Sequence, residues 1–134
     1  MIPVIDCAGL GTAAGDARLA AGIGHSARGT GFFCVVNHGV SAPLMEEMFA
    51  AGRSFFARPV AEKAALSIKR SPHNRGYVGL SEEALDPTAD ADVKEAFNIG
   101  PDLSADHPEV LAGKPFRGVN LWPGDAGFRT TSLA

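Results

Sequence analysis

Gly31–Val40, which reads Gly-Phe-Phe-Cys-Val-Val-Asn-His-Gly-Val, is the stretch that decides how this chain folds. Its apolar core, Phe32–Val36, is rich in aromatic and β-branched residues. This run is too short for a buried helix and too continuous for a half-exposed strand, so it predicts a short strand covered on both faces. Asn37–Gly39 then has the composition of a turn.

One helix is predicted before this strand in the sequence and another after it. Asp16 is a candidate N-cap for a helix over about residues 17–28. Ser41 is a candidate cap for a second helix that ends near Phe56, with Pro43 in its first turn, where a missing N–H does no harm. The first helix has one narrow apolar face, which consists of Leu19, Ala20, Ile23 and Ala27. The second helix projects to one side Leu44, Met45, Met48, Phe49, Gly52, Phe55 and Phe56. Both helices therefore have an apolar side to pack against the strand.

The remaining elements are short and widely spaced. Ile2–Asp6 contains Pro3 and is predicted as an edge strand, because proline cannot donate to a ladder. Gly76–Val78 is a possible short strand or bend, and the alternation in Lys94–Gly100 predicts another strand. Val60–Leu66 is predicted as a helical turn. The segments 67–75, 81–92 and 101–118 are predicted as loops, and the fold class is therefore α+β, with helices on short strands.

Composition limits the functions open to this chain. At 134 residues, 46% hydrophobic and 20% charged, it is expected to form one ordinary globular domain. A net charge of −3 with scattered basic residues gives no surface for nucleic acid, and no run reaches the roughly 20 apolar residues of a membrane span. Cys7 and Cys34 are expected to be buried free thiols, which predicts a cytoplasmic protein.

Two motifs have residue types and spacings that are found in cofactor or metal sites. Gly9–Gly15 follows a strand and precedes a helix, as in a dinucleotide-binding turn, whose backbone N–H groups hold a pyrophosphate. Its third glycine comes one position late, and the alternative is a glycine-rich surface loop. His107 and Glu109 have the spacing of two ligands of an iron facial triad. Since no histidine follows His107 in the sequence, chance is the better explanation.

Six motifs in order resemble the N-terminal region of the isopenicillin N synthase-like non-haem iron oxygenases, most of which use 2-oxoglutarate. The similarity covers about residues 2–129 and is that of a bacterial-type member. Each motif is weak alone, and their order makes the resemblance specific. They are Ile2–Asp6, Gly31–Val40, Phe55-Phe56 with Pro59 and Glu62-Lys63, Arg75–Tyr77, Lys94–Gly100 and Asn120–Pro123.

The resemblance implies that this chain is one part of a longer enzyme and that another domain carries the catalytic residues. In that family the N-terminal region packs on a jelly-roll (double-stranded β-helix) barrel, which carries the ligands for Fe(II) and 2-oxoglutarate. We therefore expect residues 2–124 to be the N-terminal domain, with most of the barrel missing. Residues 125–134 would be the truncated start of a connection to the absent catalytic domain, with a helix beginning near Phe128. No catalytic, cofactor-binding or metal-binding residue is assigned to this chain.

Arg75 and Tyr77 match positions that contribute to the family's substrate pocket. The resemblance implies that Arg75 could pair with a substrate carboxylate in a bidentate manner. The alternative is that Arg75 is a solvated loop residue and Tyr77 a packing aromatic. Both interpretations are open at the level of sequence.

The expected partners follow from the missing barrel. The leading hypothesis is an N-terminal, substrate-pocket and scaffold portion of an Fe(II)/2-oxoglutarate-dependent oxygenase that performs no turnover alone. Its catalytic domain would lie in cis or in a separate chain. The first alternative is a standalone binding module that docks by strand addition, and the second is a nucleotide-binding domain that uses Gly9–Gly15. Exposed strand edges would also permit self-association.

Overall fold

The computed structural model describes residues 1–83, 88 and 90–134, and these form two compact units, residues 1–42 and 43–134. Helices and a few short strands make up both units, so the predicted α+β class is confirmed. Part of the predicted acidic loop over residues 81–92 lies outside the described residues. No helix within the described ranges is long and apolar enough to cross a membrane.

The first unit is a strand, a helix and a parallel strand. β1 (Val4–Asp6) pairs with β2 (Cys34–Val36), and α1 (Ala13–Gly29) connects them. The register sets Ile5 opposite Val35. The Asp6 carboxylate accepts hydrogen bonds from the Ala8 N–H at 2.9 Å and from the Asn37 side-chain amide at 2.8 Å. Asp6 therefore ties the ends of both strands together, and Asn37 adopts a φ of 53° at that corner.

Helix α1 begins four residues earlier than its predicted start near Ala17, and its cap is Thr12 rather than Asp16. The Thr12 hydroxyl accepts from the Gly15 N–H at 3.1 Å. Of the predicted apolar face only Leu19 is buried, since Ile23 is 40% exposed and the other buried residues of α1 are Gly15 and Ser26. Small residues let the backbone approach closely, and a Cβ on Gly15 would lie only 2.0 Å from the carbonyl oxygen of Gly9.

The central strand is exposed, which corrects the prediction of cover on both faces. All three residues of β2 are exposed, and Phe32 just before it is 73% exposed. Both cysteines are free as predicted, but Cys34 is exposed and Cys7 is half-buried, so their predicted burial is wrong. The run Phe32–Val36 has the composition of a covered strand, but within the first unit it is covered only in part, with Val35 and Val36 at 41% and 42% exposure.

The second unit contains the larger share of the elements. Its strands β3 (Gly76–Val78) and β4 (Ala96–Asn98) pair antiparallel, with Tyr77 opposite Phe97. The predicted helix near Phe128 is found, and two predicted loops contain helical turns, a 3-10 helix at Ile68–Arg70 and α4. The helices are α2 (Ala42–Phe56), α3 (Val60–Ala64), α4 (Pro108–Leu111) and α5 (Ala126–Leu133).

Aromatic rings form the core of the second unit. Phe55 is 1% exposed, and its ring centroid lies 4.8 Å from that of Phe97, 5.3 Å from that of Phe128 and 6.2 Å from that of Tyr77. These four rings come from α2, β3, β4 and α5. Edge-to-face contacts of this kind add about 0.5–1.5 kcal/mol per pair beyond burial. One side chain of α2 therefore joins both strands and the last helix.

Several large apolar side chains lie on the surface of the described residues, among them Phe32, Phe49 and Val93 at 73%, 69% and 87% exposure. Large exposed apolar patches are typical of interfaces.

Candidate functional site

Strand β3 positions both residues predicted to bind substrate. Its three residues are buried, and the Tyr77 N–H donates to the Leu66 carbonyl at 2.8 Å. Gly76 has a φ of 112°, and a Cβ there would lie 2.3 Å from the same carbonyl oxygen. Only glycine fits at this close approach. The Arg75–Tyr77 motif therefore brings an arginine and a tyrosine into the interior on either side of an obligatory glycine.

Arg75 is buried and bonded to the backbone of its own chain. Its Nη1 donates to the His73 carbonyl at 2.9 Å, and its Nη2 donates to the Phe116 carbonyl at 2.7 Å. The guanidinium also lies where a Cβ on Gly100 would be, 1.9 Å from Nη2. With 7% exposure, Arg75 is not the solvated loop residue of the alternative interpretation. It ties residues 73–75 to the segment around Phe116.

One nitrogen of this guanidinium is left over. The Nε of Arg75 is buried and has no hydrogen-bond partner among the described residues. A buried donor without an acceptor costs about 1–3 kcal/mol. The arginine thus combines strong backbone anchoring with one unused donor.

Tyr77 forms a polar triad with Glu95 and Lys63. Its hydroxyl donates to Glu95 Oε1, and Lys63 Nζ donates to the same oxygen and to the Phe56 carbonyl at 2.9 Å. The ammonium also lies 5.5 Å from the centroid of the Tyr77 ring, within reach of a cation–π contact. Lys63 is only 4% exposed, so its charge depends on these partners. The other face of the ring packs in the Phe55 core, as the packing alternative for Tyr77 requires.

The pKa values of Tyr77 and Glu95 are shifted in opposite directions. Burial, followed by the hydrogen bond to Glu95, raises the pKa of Tyr77 to about 12. The hydrogen bonds from Lys63 and then from Tyr77 lower the pKa of Glu95. At neutral pH Tyr77 is therefore a neutral phenol and Glu95 a carboxylate. Sequence reasoning assigned no role to Glu95, although it lies in the Lys94–Gly100 motif.

The Asn120–Pro123 motif has a structural explanation. The Asn120 side chain accepts from the Gly100 N–H and donates to the Gly100 carbonyl, both at 2.9 Å, so it pairs with that backbone as a neighbouring strand would. Asp102 accepts from Trp122 Nε1 at 3.2 Å and from Arg129 Nη2 at 2.7 Å. These donors, with Arg129 first, lower the pKa of Asp102. Asn120 and Asp102 together fix the segment next to Arg75 and Gly100.

Tyr77 lies in β3 and Arg75 directly precedes it, but their polar ends meet different neighbours. The guanidinium lies against Gly100 and the Phe116 carbonyl, whereas the phenol meets Glu95 and Lys63. The guanidinium and the phenol therefore do not act together as a pair of donors to one ligand. Each instead positions a separate stretch of backbone around β3.

The described part of the chain does not fit an iron centre. It contains no group of three or more His, Cys, Asp or Glu side chains that could hold a metal ion. His107 caps α4, where its Nδ1 accepts from the Glu109 N–H at 3.2 Å. The Glu109 carboxylate meanwhile pairs with Lys114 at 2.8 Å and with Arg117 at 3.3 Å. His107 is therefore a helix cap and Glu109 an ion-pair partner, so both residues have local structural roles.

The Gly9–Gly15 loop is filled by its own side chains. Asp16 Oδ1 accepts from the Gly11 N–H at 2.8 Å, and Thr12 occupies the N–H of Gly15. The Arg18 guanidinium donates to the carbonyls of Asp6 and Ala8. A pyrophosphate at this helix start would meet the Asp16 carboxylate, which repels it. His38 likewise has a local role, because its Nδ1 accepts from the Val40 N–H at 3.2 Å, as the turn composition predicts.

Comparisons with known proteins give one consistent family. Residues 2–125 match the family described as non-haem dioxygenase in morphine synthesis N-terminal. A 2-oxoglutarate-Fe(II) type oxidoreductase of Emericella nidulans is 34% identical over 124 residues, which are 90% of this chain and 36% of that protein. Kihadalactone A synthase of Citrus sinensis is 41% identical over 95 residues, 70% of this chain and 27% of that protein.

A solved structure has the same fold. A 2OG-Fe(II) oxygenase family protein from Caulobacter crescentus superposes with a TM-score of 0.71 at 23% identity. The match covers 98% of this chain and 41% of that one. The chain therefore spans about a third of the length of the curated relatives it matches, and less than half of this structural relative.

We predict that the Tyr77 phenol ionises late in the folded chain. Tyr77 is the sole tyrosine, so the ultraviolet absorbance of phenolate reports this group alone. The folded chain should titrate near pH 12 and the urea-unfolded chain near pH 10. Because the unfolded state loses its proton first, the free energy of unfolding should fall as pH rises from about 10 to 12.

Two variants test which interactions raise the pKa of Tyr77. Tyr77→Phe should abolish the alkaline decrease in stability, and Glu95→Gln should move the Tyr77 pKa only part of the way back, because burial is the largest cause. Circular dichroism on the same samples separates ionisation from unfolding. A folded chain whose tyrosine titrates near pH 10 would contradict the buried triad.

Proposed function

Because the chain belongs to the non-haem dioxygenase N-terminal family, we propose that it is the N-terminal, substrate-pocket and scaffold portion of an Fe(II)/2-oxoglutarate-dependent oxygenase. The family match over residues 2–125 is the observation that carries this proposal. The name of the Emericella nidulans relative describes a 2-oxoglutarate-Fe(II) oxidoreductase, which supports the assignment. By itself the chain would perform no turnover, since its described residues offer no iron ligand set.

The catalytic jelly-roll domain is proposed as the partner, in cis or as a separate chain. Exposure of β2 supports this, because a parallel pair of strands is normally covered on both faces. β2 pairs with β1 along one edge only, and its other edge has unpaired backbone groups among the described residues. Strand addition to that edge would also serve a standalone binding module. The free thiols of Cys7 and Cys34 agree with a reducing cytoplasm.

The role of Arg75 and Tyr77 in substrate binding is also a proposal. Bidentate pairing of Arg75 with a substrate carboxylate would require its Nη2 to release the Phe116 carbonyl. We infer that Arg75 acts on the pocket mainly by positioning the backbone around Phe116, while its Nε is buried and unpaired among the described residues. Tyr77 would act by holding the Glu95 carboxylate in place, and through it the Lys63 side chain.

The iron and cosubstrate proposal is tested by calorimetric titration of the purified 134-residue chain under anaerobic conditions. Fe(II) and 2-oxoglutarate should each give no binding heat, while the full-length Emericella nidulans oxidoreductase should bind both. Tight binding of both by this chain alone would contradict the proposal. A parallel titration with NAD or FAD tests the nucleotide alternative, which predicts saturable binding.

The positioning role of Arg75 predicts a stability effect. Arg75→Gln removes donors to two loop segments and should lower the free energy of unfolding by about 1–3 kcal/mol. Arg70→Gln, at an exposed arginine nearby, should change it by no more than about 0.5 kcal/mol. Urea unfolding followed by Trp122 fluorescence measures both. Equal stability of the two variants would mean that Arg75 is free to serve a ligand.

A further inference from the structure

We propose that Asp102 is a positioning residue that couples α5 to the Arg75 guanidinium. A continuous series of contacts within the second unit joins the two, and its members in order are Arg129 of α5, Asp102, Asn120, Gly100 and Arg75. The inference rests on the proposed function in one respect, because the placement of Arg75 matters to a substrate only if Arg75 belongs to the pocket.

The Asp102 carboxylate accepts from three donors. Its Oδ2 accepts from Arg129 Nη2 at 2.7 Å. Its Oδ1 accepts from Trp122 Nε1 at 3.2 Å and from Asn120 Nδ2 at 3.3 Å. The Asp102 side chain is 23% exposed, so water has limited access to these bonds. Only a carboxylate serves all three donors, because the NH₂ group of a neutral amide would face one of them.

Asn120 transmits this restraint to the backbone of Gly100. Asn120 is 4% exposed, and its side chain both accepts from the Gly100 N–H and donates to the Gly100 carbonyl. A flipped amide would set its NH₂ group against the Gly100 N–H and its oxygen against both the Gly100 carbonyl and the Asp102 carboxylate. Asp102 therefore favours the one orientation of Asn120 that fits Gly100.

Gly100 lies directly against the guanidinium of Arg75. A Cβ on Gly100 would lie 1.9 Å from Nη2, 2.1 Å from Cζ and 2.4 Å from Nε. The guanidinium thus fills the space beside the glycine, and such close packing transmits displacements. A shift of the Gly100 backbone therefore moves the guanidinium, on which the Nη2 bond to the Phe116 carbonyl depends.

The α5 end of the series is anchored in the aromatic core. Arg129 follows Phe128, which is 4% exposed and whose ring centroid lies 5.3 Å from that of Phe55. The Arg129 guanidinium also lies 5.8 Å from the centroid of the Trp122 ring, within reach of a cation–π contact. The packing of α5 therefore sets the position of Arg129, and through it that of the Asp102 carboxylate.

Solvent exchange of the Arg75 Nε–H, followed by ¹⁵N NMR of the 134-residue chain, tests the proposal. The resonance that is missing from Arg75→Lys assigns this proton. Because Nε is buried, its exchange requires local opening, which loss of hydrogen bonds to a charged group favours. Asp102→Ala should accelerate the exchange about tenfold, and Arg129→Gln about threefold. The double variant should match Asp102→Ala alone, because Arg129 acts through Asp102.

Asp106→Ala is the matched control. Asp106 lies in the same segment but accepts from the Ser104 hydroxyl, so its replacement should leave the exchange of the Arg75 proton unchanged. The backbone N–H of Tyr77, which donates to the Leu66 carbonyl at 2.8 Å, reports opening of β3. Its exchange rate should stay within about twofold of the unsubstituted chain in every variant.

Unchanged exchange of the Arg75 proton in Asp102→Ala would overturn the proposal. Equal acceleration at Tyr77 would also overturn it, because that result indicates general unfolding. The Arg129 side chain is 54% exposed, so Arg129→Gln should keep the fold and decides the question even if Asp102→Ala does not fold. Effects that multiply in the double variant would show that Arg129 does not act through Asp102.

None of these measurements needs iron, cosubstrate or turnover. A failed coupling therefore leaves the proposed oxygenase function standing. Conversely, tight binding of Fe(II) and 2-oxoglutarate by the chain alone would contradict that function without affecting the exchange of the Arg75 proton.

Discussion

The contact of Phe55 with its neighbouring rings is the interaction on which the second unit depends. One side chain from α2 meets Tyr77 of β3, Phe97 of β4 and Phe128 of α5. Those strands have only three residues each, and a pair of such strands is marginal in water by itself. Burial of the aromatic cluster stabilises them, and the strands in turn hold the polar groups on either side.

Polar side chains on two sides of the aromatic core hold the neighbouring loops in place. Glu95 joins Lys63 of α3 to the Tyr77 hydroxyl. On the other side, Asn120 pairs with the Gly100 backbone and Arg75 binds the Phe116 carbonyl. In both places a buried side chain substitutes for strand partners that these short segments lack.

The first unit contrasts with this arrangement. It has a strand–helix–strand frame tied by Asp6, but its central strand is exposed and the buried residues of its helix are only Gly15, Leu19 and Ser26. An exposed apolar strand of this kind is suited to being covered by another part of the protein. The proposed catalytic partner would cover it.

Much of the fold could be predicted from local signals. The run Phe32–Val36, Pro43 near the start of a helix and the alternation before Gly100 each gave an element of the right type. The start of α1 was misplaced because Asp16 and Thr12 are equally good caps, and only the loop geometry decides between them. Exposure of β2 could not be predicted, since composition reports what a strand is suited to and not what surrounds it.

The candidate site was predictable only in part. The motif Arg75–Tyr77 identified the right strand, and packing of the tyrosine was one of the two interpretations left open. Burial of Arg75 was missed because its partners, the Phe116 carbonyl and Gly100, lie more than twenty residues away in the sequence. Lys63 and Glu95 were visible within motifs, but their pairing is a tertiary contact that no spacing reveals.

The central role of Phe55 is tested most directly by urea unfolding of Phe55→Ala, followed by the fluorescence of Trp122, the sole tryptophan. The account predicts a loss of about 3–5 kcal/mol in the free energy of unfolding, or no folded state at all. Phe32→Ala, at a ring that is 73% exposed, should change it by no more than about 0.5 kcal/mol. Equal effects of the two substitutions would contradict the claim that the second unit is built on Phe55.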